Sequence, residues 1–183
     1  MNFESAKDQL TKVLVTEEQI NSRVAELAAE IDKRYAGKDV LLVGVLKGAV
    51  MFMADLSRAL NISTSMDWMA LSSYGSGTVS SGVIRILKDL DAEIHGKDVL
   101  IVEDIIDSGL TLSWLETTLK ARGAASVEVV AFLRKPDAAK VEVPVWLVGF
   151  DIPNEFVVGY GLDYNEKYRS LNCVAVLDPK VYS

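Results

Sequence analysis

Short apolar runs rich in β-branched residues alternate along this chain with stretches of helical periodicity, and that alternation constrains the fold more than any other feature. The run Val40-Leu41-Leu42-Val43-Gly44-Val45-Leu46 is too short for an apolar helix and has no polar residue at alternate positions, so it reads as a strand buried on both faces. Further strands are predicted over 64–71, 83–87, 99–102, 127–133, 145–150 and 174–177. Between them lie predicted helices over 49–60 and 109–122, the second with Leu112, Leu115 and Leu119 on one face and Gly123 as its stop. An earlier helix starts at Thr16, an N-cap with Gln19 as its capping-box partner. It buries Ile20, Val24, Leu27, Ala28, Ile31 and Tyr35 along one stripe and stops at Gly37. Strands that alternate with helices imply βαβ units, hence an α/β fold with a mostly parallel sheet covered on both faces. Ligands in such sheets gather at the carboxyl ends of the strands.

The chain has 183 residues, and 1–183 is read as a single domain with half its residues apolar and a quarter charged. No apolar run is long enough for a bilayer, since Lys47 interrupts one and Asp55 stops the next. Met1-Asn2-Phe3-Glu4-Ser5 lacks a basic-then-apolar export pattern, and the single cysteine, Cys173, excludes an intrachain disulfide. A reducing, cytoplasmic location is therefore expected, with no membrane partner. Nineteen basic and 26 acidic side chains give a net charge of −7, which disfavours binding to nucleic acid or anionic lipid. It equally disfavours, at first sight, a phosphate-rich substrate. His95 is the only histidine and precedes Gly96-Lys97 in a predicted turn, so Ser-His-Asp and Cys-His hydrolases are poor fits. Cys173 reads as a small buried hydrophobe, and Trp68, Trp114 and Trp146 as core or interface residues.

Two segments carry the chemistry. In Val99-Leu100-Ile101-Val102-Glu103-Asp104-Ile105-Ile106-Asp107-Ser108-Gly109-Leu110-Thr111 a strand delivers two adjacent carboxylates at its carboxyl end, and a short loop opens into a helix. Free N–H groups at that helix start, with the Ser108 and Thr111 hydroxyls, suit a phosphate monoester, and Gly109 allows close approach. Two neighbouring carboxylates repel unless a cation or hydroxyl-rich group sits beside them, and Mg²⁺ with sugar hydroxyls would serve. Read alone, Asp107 is a helix N-cap and the Glu-Asp pair a solvated strand end. The second segment, 72–82, is almost all small or polar, and reads as an active-site lid rather than a linker because the strands flanking it need each other.

The thirteen-residue segment closely resembles the phosphoribosyl-pyrophosphate signature of the type I phosphoribosyltransferases. Leu46-Lys47-Gly48, Ser73-Tyr74-Gly75, Arg134-Lys135-Pro136, the stretch Glu155 to Tyr164, and Arg169 resemble sequence blocks of one branch, the hypoxanthine-guanine phosphoribosyltransferases. The resemblance implies that family's fold, a parallel sheet with a small hood region, and transfer of the phosphoribosyl group to a 6-oxopurine with release of pyrophosphate.

It also implies roles. Glu103 and Asp104 would bind the ribose hydroxyls and help place Mg²⁺, with Asp163 near a second Mg²⁺ or the guanine amino group. Asp107 would be the general base at purine N7. Asp107, Ser108, Gly109, Leu110 and Thr111 would cradle the 5′-phosphate. Lys47, Gly48 and Arg169 would contact pyrophosphate, the family having a strained peptide at Lys47-Gly48. Ser73 and Tyr74 would close over it. Lys135 would donate to the 6-oxo group, Phe156 would stack on the base, and Val157 would offer backbone groups. A homo-oligomer, dimer or tetramer, is expected, with Met51, Phe52 and Met53 as interface candidates. Sensing regulators that use this fold to bind RNA or DNA are the competing class. They should show a basic face, which the net charge opposes.

Overall fold

The computed structural model describes residues 3–73 and 84–182. In chain order the elements are α1 (Phe3–Ala6), β1 (Leu10–Val15), α2 (Glu17–Arg34), β2 (Val40–Leu46), α3 (Val50–Ala59), β3 (Thr64–Ser73), β4 (Ile84–Lys88), β5 (Asp98–Ile106), α4 (Leu110–Ala121), β6 (Ser126–Arg134), β7 (Leu147–Asp151), β8 (Val157–Val158) and β9 (Val174–Leu177). Short 3₁₀ turns follow α1, β6 and β9.

Six strands form the main sheet in the order β4-β3-β2-β5-β6-β7, parallel throughout except for the antiparallel β3–β4 pair. The apolar runs are continuous because each strand supplies two cores. Val40, Leu42, Leu100, Val102, Val130 and Phe132 point to the face covered by α2 and α3. Leu41, Val43, Val99, Ile101, Val129 and Ala131 point to the other, covered by Leu112, Leu115 and Leu119 of α4. The predicted stripe of α2 is buried in full, and Thr16 and Gln19 form the capping box. Gly37 follows with φ of 76°. Among the described residues no helix is long and apolar enough to cross a membrane.

A second sheet, β1-β9-β8, is antiparallel and packs a smaller cluster around Val158, Tyr168, Leu171, Cys173, Ala175 and Leu177. Its opposite face joins the main core through Val15, Val157, Val174 and Val176. This is where the sequence reading was least complete. Strand β1 is not among the predicted ones: Thr11 and Lys12 interrupt Leu-Thr-Lys-Val-Leu-Val, and its partner β9 lies at the other end of the chain. The predicted 174–177 strand exists, but in this sheet rather than the main one.

Two further expectations are corrected. Phe52 and Met53 are fully buried in the α2–α3 core and are not available to an interface, whereas Met51 is only partly buried against it. The strand predicted to end at Val102 continues to Ile106, because Glu103, Ile105 and Ile106 remain in register with Ala131, Leu133 and Arg134 of β6. The segment predicted as a lid joins the paired ends of β3 and β4, where Ser73 sits opposite Ile84, as the hairpin-like flanks required. Tyr74 and the rest of that segment to residue 82 lie outside the described residues.

Phe132 is the hub of the larger core, with ring centroids 5.1 Å from Phe52, 5.6 Å from Phe150 and 4.7 Å from Tyr160. Phe132→Ala is expected to lower stability by about 3–5 kcal/mol. Urea denaturation should show a lower midpoint at an unchanged slope.

Candidate active site

Strand β5 places the acidic pair inside the sheet rather than at a solvated end. Glu103 and Asp104 line adjoining cavities, but their carboxyl groups stay within hydrogen-bonding reach of each other. Glu103 lines a cavity of about 150 Å³ with Ile105, Ile106, Asp107, Ser108, Gly109, Thr111 and Leu112. Asp104 lines an adjacent cavity of about 330 Å³ with Lys47, Gly48, Lys135, Phe156, Asp163 and Arg169. Ile105 and Asp107 border both. Burial pushes the Glu103 carboxyl well above the ordinary carboxylate range, and the neighbouring Asp104 raises it further. Asp104 is also raised by burial, held back by the Ile105 N–H, which donates to its Oδ1 at 2.7 Å, and by the charge of Arg169.

The loop after β5 opens α4 differently from the expected cap. Gly109 holds the N-cap position in the left-handed region, with φ of 79°, and no side chain caps it. Asp107 is therefore not a cap; it is exposed and free to face the cavity. Ser108 reaches the helix start instead, its Oγ accepting from the Leu110 N–H at 3.4 Å. Its carbonyl oxygen accepts from the N–H groups of Lys140 and Val141, which pins the loop from the outside. Ser108, Gly109 and Thr111 line the smaller cavity together with Glu103, and Leu110 contributes the first backbone N–H of the helix.

Gly48, just past β2, is fixed by crowding. A Cβ there would overlap the carboxylate of Asp104, and a Cβ at Gly161, where φ is 101°, would overlap the Gly48 carbonyl. The cis peptide in this turn is Leu46–Lys47, one bond before the Lys47-Gly48 peptide singled out by resemblance. Lys47 Nζ donates to Glu166 Oε1 at 2.9 Å. Arg169 donates from Nη1 to the Gly161 carbonyl at 2.8 Å, and its Nη2 lies 2.9 Å from Asp163 Oδ1 and 3.3 Å from Glu166 Oε2.

The remaining wall is contributed by β6 and the hood. Lys135 is only 8 % exposed, its Nζ lying 3.7 Å from Asp107 Oδ2. Phe156 is 41 % exposed, unusual for its size, and packs beside Tyr164 and Tyr182 with ring centroids 5.9 and 5.0 Å away. Val157, at the start of β8, is buried at the cavity edge. Thus Lys47, Gly48, Asp104, Asp107, Lys135, Phe156, Val157, Asp163 and Arg169 meet in one cavity, although they are scattered over more than a hundred residues of sequence. His95 lies exposed in a turn against Gly123 and borders neither cavity.

Residues 13–165 match the phosphoribosyl transferase domain. The hypoxanthine-guanine phosphoribosyltransferase of Mycobacterium tuberculosis is 57% identical over 179 residues, covering 94% of this chain and 89% of that protein. That of Bacillus subtilis is 50% identical over 176 residues, covering 96% and 98%. The chain belongs to the hypoxanthine-guanine phosphoribosyltransferase family. Its backbone agrees: the crystal structure of a hypoxanthine phosphoribosyltransferase from Staphylococcus aureus superposes with a TM-score of 0.95 at 46% identity, covering 98% of this chain and 97% of that one.

The donor set of this phosphoribosyltransferase fits a hard divalent cation such as Mg²⁺. Glu103 and Asp104 are neighbouring oxygen donors whose proton affinity is raised by burial, further at Glu103 by the adjacent Asp104, so a cation between them would be favoured. Asp163 is not grouped with them; it faces Arg169, and among the described residues no cluster of three or more His, Cys, Asp or Glu side chains forms. Sequence reasoning missed Glu166, an acid between Tyr164 and Arg169 that looks like one more surface charge until its two cationic partners are seen.

The buried acid has a consequence for stability. A carboxyl whose folded value lies above its ordinary 4.5 binds its proton more tightly in the native chain than in the unfolded one. Its contribution is therefore complete below that value and is lost as pH rises through the elevated folded value. Glu103→Gln stays neutral throughout, so in metal-free buffer its stability relative to the parent chain should rise between mildly acidic and neutral pH. Urea midpoints across that range measure the difference.

Proposed function

We propose that this chain is a purine salvage enzyme that transfers the phosphoribosyl group from phosphoribosyl pyrophosphate to hypoxanthine and/or guanine, giving IMP or GMP and pyrophosphate. The observation that carries the reading is the juxtaposition of Asp107, Lys135 and Phe156 in the cavity that also holds Lys47 and Arg169. An acceptor, a donor and an aromatic face next to two cations match a 6-oxopurine beside a diphosphate in chemistry.

Each residue then has a task. Ser108, Thr111 and the backbone N–H groups from Gly109 and Leu110 take the 5′-phosphate at the start of α4, where the helix dipole favours an anion. Glu103 and Asp104, on adjoining cavity walls, take the ribose hydroxyls. Lys47, Gly48 and Arg169 receive the pyrophosphate, the guanidinium fork suiting phosphate oxygens. Phe156 stacks on the base, Val157 offers backbone groups at its edge, and Lys135 donates to the 6-oxo oxygen, which rejects the amino group of adenine. Asp107 accepts the N7 proton and sends electron density toward the attacking nitrogen, while the sugar passes through an oxocarbenium-like state that needs charge held nearby. Mg²⁺, held by Glu103 and Asp104 with Asp163 as a second candidate, would neutralise charge on the departing pyrophosphate. Ser73 and Tyr74 close over the diphosphate and exclude water. A cytoplasmic site of action and assembly into a dimer or tetramer belong to the same reading.

A panel of purines offered with phosphoribosyl pyrophosphate and Mg²⁺ tests it. Turnover of hypoxanthine, guanine or both, with adenine refused, is the expected result, and no turnover of any base overturns the reading. Asp107→Asn should lower kcat by roughly 10²-fold or more while stability is retained, since Asp107 caps nothing. Lys135→Ala should lose the discrimination between 6-oxopurines and adenine, read as the ratio of kcat/KM values.

A further inference from the structure

Glu166 is an acid for which the proposed reaction has no task, yet it holds both cations assigned to pyrophosphate. Its Oε1 accepts from Lys47 Nζ at 2.9 Å, and its Oε2 lies 3.3 Å from Arg169 Nη2. One carboxylate thus bridges a side chain at the end of β2 and a side chain of the hood.

The local backbone is built to present it. Asn165, Glu166 and Tyr168 adopt φ values of 50°, 59° and 72°, a region that side chains other than glycine rarely enter. The turn is closed by the Glu166 N–H, which donates to Asp163 Oδ2 at 2.9 Å, and by reciprocal backbone hydrogen bonds between Tyr164 and Lys167. Four groups therefore determine where this carboxylate sits. Arg169 is independently anchored by the Gly161 carbonyl and by Asp163, so it keeps its position whether or not Glu166 is engaged.

To a lysine and an arginine, a bridging carboxylate and a diphosphate offer the same thing, anionic oxygens spaced to accept from both. We infer that Glu166 is a built-in stand-in for the pyrophosphate anion, neutralising Lys47 and Arg169 until the diphosphate of the substrate displaces it. The inference rests on the reaction proposed above and concerns how tightly the same site holds its ligand. An internal competitor weakens capture of the phosphoribosyl donor and by the same amount eases departure of the pyrophosphate product. Because the Lys47 and Glu166 side chains are each 64% exposed, the competition is modest in size.

Glu166→Gln keeps the length and hydrogen-bonding capacity of the side chain but removes its charge. The KM for phosphoribosyl pyrophosphate is expected to fall by about three- to tenfold. The KM for the purine should stay unchanged, a split that a general loosening of the site would not give. Glu166→Asp, with a shorter reach, should fall between the two. An unchanged or raised KM for the donor in Glu166→Gln overturns the inference, because Glu166 would then be ordering the cations rather than competing for them. Calorimetric titration of inorganic pyrophosphate with Mg²⁺ gives a second test that needs no turnover, with tighter binding to Glu166→Gln expected and equal or weaker binding overturning the inference. If the parent chain converts no purine at all, the proposed reaction fails, and the titration still decides the role of Glu166.

Discussion

Two carboxyl groups on consecutive residues of a strand covered by helices on both faces set the terms for everything around them. Burial makes both bind a proton more tightly than a surface acid would, and the neighbouring Asp104 raises Glu103 further. Part of this is relieved at Asp104 by a hydrogen bond with Glu103, although the two groups line adjoining cavities. The rest of the relief comes from what approaches Asp104: the Ile105 N–H on one side and the charge of Arg169 on the other. What remains uncompensated is an appetite for positive charge at the point where a metal-bearing, hydroxyl-rich ligand would arrive. The site is therefore poised by the partial burial of these two acids.

Asp104 also explains why the hood sits where it does. Its carboxylate occupies the space beside Gly48, and Gly48 in turn presents its carbonyl to Gly161, so three backbone segments touch with no room for a side chain between them. Gly161 accepts from Arg169 Nη1 and donates its N–H to the Arg169 carbonyl. Through that contact the hood, with Phe156, Val157, Asp163 and Arg169, is seated on the carboxyl ends of β2 and β5. The antiparallel sheet behind it is tied to the main core through Val157, Val174 and Val176, which keeps the contact from opening freely.

Legibility in the sequence followed the range of the interactions. The capping box at Thr16, the stripe of α2 and the doubly buried strands were readable because each is decided within a few residues. Strand β1 was not, since it is completed only by β9 at the far end of the chain. The signature around Glu103 to Thr111 marked where chemistry happens, and β6 keeps pairing beyond its acids, so the local reading of a solvated strand end gives way to a half-buried pair. The cap assigned to Asp107 failed for a similar reason. Gly109 takes a left-handed conformation that places the N-cap two residues downstream of Asp107 and leaves the aspartate to the cavity. Lys135 and Phe156 looked locally like a surface turn and a core residue. The first is buried and the second exposed, an inversion that only the assembled cavity explains.

The net charge of −7 is reconciled with an anionic ligand by the same geometry. Two of the three cations facing the larger cavity, Lys47 and Arg169, are each answered by a carboxylate of the 163–169 turn, so they show a diphosphate little free positive charge. At physiological salt, charges more distant than about 8 Å are largely screened, and the acidic surface beyond the site has little say in the binding of a small ligand. What counts is the exchange made locally. A ligand that brings its own anionic oxygens releases Glu166 to water, and one that brings a divalent cation satisfies Glu103 and Asp104 at the same time. On the proposed reaction, a metal-complexed diphosphate would meet both halves of this arrangement at once, and the sum of the charges says nothing about it.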